Sequence, residues 1–418
     1  MKRSVVQGTV PAPPSKSYTH RALLLGLLSG RSLVRNPLWS EDTLATREAV
    51  LAFGGGVEAL KTGVRVTSRG LSVPDNVVDA RNSGTTLRLV SGLSALLPGA
   101  SVLTGDASLR KRPMQPLIDA LNALGARAES TRGNGTAPLV VRGPMLGGKA
   151  VLPGDVSSQF VSSLLLACPL ARGETTIHLS GALKSRPYVD ITLSLLPRHG
   201  VRVEEYPTGF AIPGGQTYQP ADVTVPGDFS SAAFPLVAAA VTGGRVRVTG
   251  LDHASPQGDK AILTMLQRFG ASVRIGDGFA EVEGNGELKG TTLDVGHTPD
   301  LFPILCVLAA AAKGKTVLSG AAHLKFKETD RIAAMVGNLK RMGASIQARE
   351  DGAVVDGGKP LRGTRVETHD DHRILMACAV AGLLASRETR LEDTQSHAVS
   401  YPRFFEHMKK LGAKVGKR

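Results

Sequence analysis

The strongest constraint on this chain is an internal repeat. A helix ending of the form apolar-x-x-apolar-Gly recurs as Val50–Phe53–Gly54, Leu121–Leu124–Gly125, Leu196–His199–Gly200, Leu266–Phe269–Gly270, Leu339–Met342–Gly343 and Met408–Leu411–Gly412, with His199 taking the second place once. Successive glycines lie 71, 75, 70, 73 and 69 residues apart. Glycine just past a helix takes the left-handed conformation that satisfies the last carbonyls. Small or β-branched residues follow, as in Gly270-Ala-Ser-Val and Gly343-Ala-Ser-Ile, so each helix hands over to a strand.

A second helix keeps the same period. Small and leucine-rich stretches at Ser17–Ser29, Gly84–Leu97, Ser158–Ala171, Ser230–Thr242, Asp300–Lys313 and Asp371–Ala385 are apolar on nearly every face, which predicts burial. Each runs into a short β-branched strand, such as Gly244-Arg-Val-Arg-Val. The alternate helices, such as Asp259–Arg268, carry a polar face and belong outside. The fold class is therefore α/β, built from six β/α units of about 70 residues. Pro153-Gly-Asp-Val-Ser-Ser and Pro226-Gly-Asp-Phe-Ser-Ser, 73 residues apart, are near-copies of one segment. An eightfold β/α barrel needs more units, and a doubly wound dinucleotide fold needs a glycine fingerprint after its first strand. Six units exceed one comfortable core, which predicts three plus three, divided near Asp222–Pro226.

Composition narrows the chemistry less. The 418 residues carry 50 Lys and Arg against 36 Asp and Glu, a net charge of +14 that favours anionic partners. Aromatic residues are only 4% and the cations are scattered, which argues against a stacking platform for single strands. A basic repeat protein that binds nucleic acid without catalysis stays open at this point. Cys168, Cys306 and Cys378 lie far apart inside apolar helices, as core residues in a reducing compartment. No apolar run approaches the roughly 18 residues of a membrane span. Ala22–Leu28 behind Arg21 lacks the cleavage site of a leader, so the expectation is a cytoplasmic protein.

Nucleotide motifs fail on inspection. Lys313-Gly-Lys-Thr316 has Ala309 where a phosphate loop requires glycine, and a helix precedes it. The helix starts carry more meaning. Lys16 and Arg21 surround Ser17, Arg88 follows Gly84, His372-Arg373 follow Asp371, and Lys327 and Arg331 flank an outer helix. A cation there opposes the helix dipole by roughly 0.3–1 kcal/mol. Repetition at equivalent points suggests a shared anion, which free N–H groups at those termini would also bind. Ser157-Ser158-Gln159 and Asn82-Ser83-Gly84-Thr85 add polar groups at two such starts. N-capping explains some of the serines, but not Gln159, Arg112 or Lys327-Glu328-Thr-Asp-Arg331.

These segments carry a resemblance. Ser15-Lys-Ser-Tyr-Thr-His-Arg-Ala-Leu, Asn82-Ser-Gly-Thr-Thr-Leu-Arg, Gly105–Arg112-Pro, Gly154-Asp-Val-Ser-Ser-Gln-Phe, Ser185-Arg-Pro-Tyr-Val-Asp-Ile-Thr, Pro299-Asp300, Lys327-Glu-Thr-Asp-Arg and Asp371-His-Arg are similar, in order and spacing, to the 5-enolpyruvylshikimate-3-phosphate synthase family of enolpyruvyl transferases. The resemblance implies two similar domains, 14–224 and 1–13 with 225–418. Each would hold three β/α units with buried helices and outer sheets, an inside-out α/β barrel, with the substrates in a cleft that closes. It implies enolpyruvyl transfer from phosphoenolpyruvate to the 5-hydroxyl of shikimate 3-phosphate, with release of phosphate. Each substrate phosphate carries about −1.5 to −2 charge. No cofactor or metal is implied, because Arg and Lys supply the field. Expected partners are these small molecules alone, with no nucleic acid or membrane, and the chain is expected to be a monomer.

Carried over by position, Lys16, Ser17, Arg21, Ser157, Ser158, Gln159, Ser185, Asp300 and Lys327 hold shikimate 3-phosphate, with Tyr188 against its ring. Lys16, Gly84, Arg112, Gln159, Arg331 and Arg373 hold phosphoenolpyruvate. Asp300 matches the family's base and Lys327 assists it. Glu328 is the expected proton shuttle to the methylene, in a neutral form that desolvation would favour, and His372 orients or stabilises. Two departures stand out: Val399 replaces a family lysine before the Tyr401-Pro402 segment, and His323 replaces a frequent asparagine. The related UDP-N-acetylglucosamine enolpyruvyl transferases usually carry a reactive cysteine on a loop that corresponds to Gly105–Pro113, where this chain has none.

Overall fold

The computed structural model describes residues 1–284 and 286–416. Lys417 and Arg418, the end of the expected second domain, lie outside the described residues. The chain separates into two compact units, Pro14–Val225 and Met1–Pro13 with Pro226–Arg418. The division falls one residue later than the sequence suggested. Val225 stays with the first unit because its N–H donates to the carbonyl of Arg35.

Twelve α-helices run through the described residues: α1 Lys16–Leu28, α2 Glu41–Ala52, α3 Gly84–Ser94, α4 Gln115–Ala123, α5 Ser158–Ala167, α6 Arg186–Leu195, α7 Phe229–Thr242, α8 Ile262–Arg268, α9 Phe302–Ala311, α10 Arg331–Arg341, α11 His372–Gly382 and α12 Phe404–Lys410. The odd-numbered helices are the apolar ones, and all eleven residues of α11 are buried. All six repeat glycines sit just past a helix end with φ between 74° and 97°, as the sequence required: Gly54, Gly125, Gly200, Gly270, Gly343 and Gly412. Two expected helices start later. Gly258–Ala261 and Pro299–Leu301 form 3₁₀ turns ahead of α8 and α9, so Asp300 sits on a turn rather than within a helix.

The strands repeat one pattern. In each four-stranded sheet a strand pairs in parallel with its neighbour, which then pairs with an antiparallel hairpin. Val78–Asp79 lies parallel to Ala100–Thr104, which pairs with Leu139–Arg142 and, beyond it, Arg127–Ser130. Thr292–Asp294, Gly314–Ser319, Gly352–Gly357 and Ser345–Arg349 repeat this in the other unit. The sixth copy is reduced to Arg365–Val366 beside Arg390–Leu391. The edge strands are exchanged along the chain. Gln7–Pro11 precedes α1 but pairs with Arg245–Thr249 after α7, whereas Val223–Thr224 precedes α7 but pairs with Arg31–Arg35 after α1.

Each unit has its own apolar core, centred on its three odd helices. Close approach of those helices requires small residues. A Cβ added to Gly92 of α3 would lie 2.6 Å from Ser163 Oγ and 2.8 Å from the Ser163 carbonyl of α5. Gly92→Ala is expected to destabilise the protein by about 1–3 kcal/mol, because backbone cannot give way as a side-chain tip can. Urea unfolding tests this, and an unchanged midpoint would show that α3 and α5 can separate without cost.

Candidate active site

In the unit Pro14–Val225 the expected residues gather at the starts of α1, α3, α5 and α6. Lys16 opens α1 and donates to Asp42 Oδ2 at 2.8 Å, an ion pair that is nearly buried. Gly84 opens α3, and two guanidinium groups lie over it: a Cβ there would be 3.0 Å from Arg112 Nη1 and 3.1 Å from Arg88 Nη1. Arg112 is oriented by Asn82, to whose Oδ1 it donates at 2.7 Å. Arg88 donates to Gln159 Oε1 at 2.7 Å, and Gln159 Nε2 donates to Thr85 Oγ1 at 2.8 Å. Gln159 therefore ties the start of α5 to the start of α3. Ser157 caps α5 by accepting from Gln159 N, and Ser158 is buried in its first turn. Ser185 caps α6 with φ 54°, a left-handed conformation unusual for serine, and Tyr188 is half-buried one turn on.

Arg21 is as deeply buried as Arg331 and Arg373 of the other unit. Its side chain is fully buried and donates to Ser17 O, Thr192 Oγ1, Ser162 Oγ and Tyr188 O. It braces α1 against α5 and α6. Burial pushes its pKa down to about 10, against smaller opposing effects of Tyr18 and Tyr188.

In the other unit the expected residues converge on one guanidinium. Arg331 Nε donates to Asp371 Oδ2, Nη1 to Asp300 Oδ1 and Nη2 to Glu328 Oε2, each at 2.8 Å. Burial alone would lower the Arg331 pKa, but the carboxylates of Asp371, Glu328 and Asp300 outweigh it and hold the group well above its ordinary value. Arg373 donates to the second oxygen of Asp300 at 3.0 Å and to Ser230 Oγ at 2.7 Å. Asp371 caps α11 by accepting from the N–H groups of Arg373 and Ile374, which fixes Arg373 on its first turn. His372 is buried beside it. Lys327 ends the 3₁₀ turn Ala322–Phe326, which also carries the buried His323. Val399 is buried in the turn Ser396–Val399, so the position of the family lysine is an apolar packing site here.

Sequence reading missed Asp42 and gave Arg88 no partner. Asp42 was hidden as an ordinary acid in a helix first turn, and Arg88 lies a full turn past the motif glycine. The three cysteines are buried, and burial raises each thiol pKa, as suits core residues rather than nucleophiles. Among the described residues no helix is long and apolar enough to cross a membrane, and no group of His, Cys, Asp and Glu could hold a metal ion.

The EPSP synthase (3-phosphoshikimate 1-carboxyvinyltransferase) family model matches residues 1–408. The chain belongs to this family. It is 51% identical to the 3-phosphoshikimate 1-carboxyvinyltransferase of Methanocella arvoryzae, over 99% of each chain. It is 49% identical to that of Halobacterium salinarum, over 98% of this chain and 97% of the relative. A solved EPSP synthase from Acinetobacter baumannii superposes with a TM-score of 0.81 at 33% identity, over 99% of this chain and 98% of the other. The α/β fold is that of these structures.

Replacing Arg331 by Met would leave three carboxylates facing one another. Arg331→Met is expected to destabilise the protein by about 3–5 kcal/mol. Protonating a carboxylate relieves the repulsion, so the deficit narrows as pH falls and is smaller at about pH 5.5 than at about pH 7.5. Urea unfolding of both proteins at the two pH values checks the sign; a deficit independent of pH would show that the acids do not repel.

Proposed function

We infer that this chain transfers the enolpyruvyl group of phosphoenolpyruvate to the 5-hydroxyl of shikimate 3-phosphate. The products are 5-enolpyruvylshikimate 3-phosphate and phosphate, and the pathway is that of chorismate and the aromatic amino acids. Likeness along the whole chain to the named transferases supports the reaction. The observation that carries it at residue level is Asp300 between Arg331 and Arg373. Each oxygen of this carboxylate is held by one of two guanidinium groups, which are themselves fit to meet an anion.

In this reading the acceptor substrate is held by Lys16, Ser17, Ser157, Ser158, Gln159, Ser185 and Lys327, with Tyr188 against its ring. Arg21 belongs to the same set, and its bonds to the carbonyls of Ser17 and Tyr188 also hold those two residues in place. Phosphoenolpyruvate meets Lys16, Arg112, Gln159, Arg331 and Arg373, and Gly84 lets it reach the N–H groups of α3. Asp300 takes the 5-hydroxyl proton as the oxygen adds to the enol carbon, and Lys327 stabilises the developing charge. Glu328 gives a proton to the methylene, then takes one back as phosphate departs. His372 orients the first turn of α11. The burial of the odd helices supports reading each unit as an inside-out α/β barrel of three repeats. The buried thiols support a cytoplasmic setting, and we read the active species as a monomer.

Phosphate release from the pure protein with both substrates tests the reaction, with UDP-N-acetylglucosamine in place of shikimate 3-phosphate as the control. Release only in the control overturns the acceptor. Asp300→Ala and Glu328→Gln are expected to lose about 10²–10⁴-fold in kcat while remaining folded. Wild-type rates in both would remove the assigned proton transfers. Arg112→Ala is expected to raise the phosphoenolpyruvate KM by about tenfold or more, and an unchanged KM counts against its contact.

A further inference from the structure

Beneath Lys16 and Gly84 runs a string of buried polar side chains to which the reaction gives no role. His20 in α1 is fully buried, and its Nδ1 lies 2.6 Å from Oγ1 of Thr46 in α2. Thr46 Oγ1 lies 2.6 Å from Oγ1 of Thr86 in α3. Thr86 Oγ1 donates to Ser83 Oγ at 2.7 Å and, more weakly, to the Asp42 carbonyl at 3.3 Å. Ser83 is the N-cap of α3 and also accepts from Thr86 N. Three helices are thus joined by one line of hydroxyls that ends on an imidazole.

The line has a direction. A threonine hydroxyl has one proton. Thr86 donates away from Thr46 in both of its bonds, so the proton between the two threonines belongs to Thr46. The proton between Thr46 and the imidazole then belongs to His20 Nδ1. The ring is then neutral with its proton on Nδ1, and Nε2 has no hydrogen-bond partner among the described residues. Burial first, and then the nearby Lys16 and Arg21, push the His20 pKa well below its ordinary value, which keeps that tautomer neutral. Core packing alone calls for none of these polar groups, because an alanine or valine core would bury no unmatched Nε2.

We propose that His20, Thr46 and Thr86 are positioning residues for phosphoenolpyruvate. The line fixes the cap of α3, and so the first turn that begins at Gly84, against α1 and α2. Asp42, which also holds Lys16, is linked to the same Thr86 through its carbonyl. The two positive groups are thereby set at one separation. Binding sites tolerate displacements of only about 0.5 Å, and directional hydrogen bonds enforce that better than apolar contact between helices. The inference rests on reading Gly84 and Lys16 as donor-binding groups.

Steady-state kinetics of the full chain with both substrates, together with thermal unfolding, tests it. Thr46→Val keeps the volume and cuts the line. It is expected to raise the phosphoenolpyruvate KM about fivefold to tenfold, with kcat changed less than about twofold and the shikimate 3-phosphate KM, which draws on Lys16 among many other contacts, raised by a clearly smaller factor. Thr46→Ser restores the hydroxyl and is expected to return the KM to near the wild-type value. An unchanged KM in Thr46→Val, a parallel rise of both KM values, or a Thr46→Ser variant as impaired as Thr46→Val overturns the proposal. Should Thr46→Val fail to fold, Thr46→Cys carries the same comparison with a weaker donor. Gly84→Ala separates the two levels. If it leaves the phosphoenolpyruvate KM unchanged, the site reading itself fails; if it raises that KM while Thr46→Val does not, only the positioning role fails.

Discussion

The charge arrangement of the second unit depends on one buried guanidinium. Arg331 spends a different nitrogen on each of three carboxylates. Those carboxylates come from three separate places: the turn before α9, the segment before α10 and the cap of α11. No apolar contact could draw these acids together, because desolvated like charges repel. Once they are drawn together, each has a second use. Asp371 caps α11 and so aims Arg373, and Arg373 returns to the other oxygen of Asp300. The order of Asp300 is therefore a consequence of Arg331, reached by two routes.

The first unit solves a similar packing problem with neutral groups. Arg21 is fully buried, and the acceptors that meet it are two hydroxyls and two backbone carbonyls. Arg88 and Arg112 are oriented by the amide oxygens of Gln159 and Asn82. Neutral acceptors orient a guanidinium while leaving its charge in place. Carboxylates orient it and offset the charge.

Much of the fold was legible because its signals are local. A glycine with positive φ ends a helix whatever surrounds it, and all six repeat glycines behave accordingly. Apolar helices announce burial in the same way. The exchange of Gln7–Pro11 and Val223–Thr224 between sheets was not readable from the residues themselves, because strand pairing is non-local and both segments look like ordinary edge strands. The late starts of α8 and α9 escaped notice because a 3₁₀ turn and a first helical turn use the same residues. At the site, residue types and order marked the helix starts at which these cations lie. What they hid was which cation meets which acceptor. Arg21, next to a motif serine, turns inward, whereas Arg88, a turn beyond the motif glycine, returns to cover it. Side-chain direction around a helix, rather than distance along the sequence, decides this.

The ion pair of Glu328 with Arg331 bears on the proton shuttle. An adjacent cation favours the ionised carboxylate, whereas a group that protonates a methylene must first carry the proton. The two demands are compatible only if the guanidinium can be shared. In the proposed mechanism phosphoenolpyruvate brings a carboxylate and a phosphate to the same cations, and every anion that claims part of Arg331 weakens its hold on Glu328. Asp371 is fully buried and caps a helix, so it cannot yield. Asp300 keeps Arg373 whatever Arg331 does. Glu328 reaches Arg331 from three residues earlier in the same segment. In the proposed mechanism one shared arginine loosens from Glu328 as substrate anions claim it, which leaves that acid able to gain a proton.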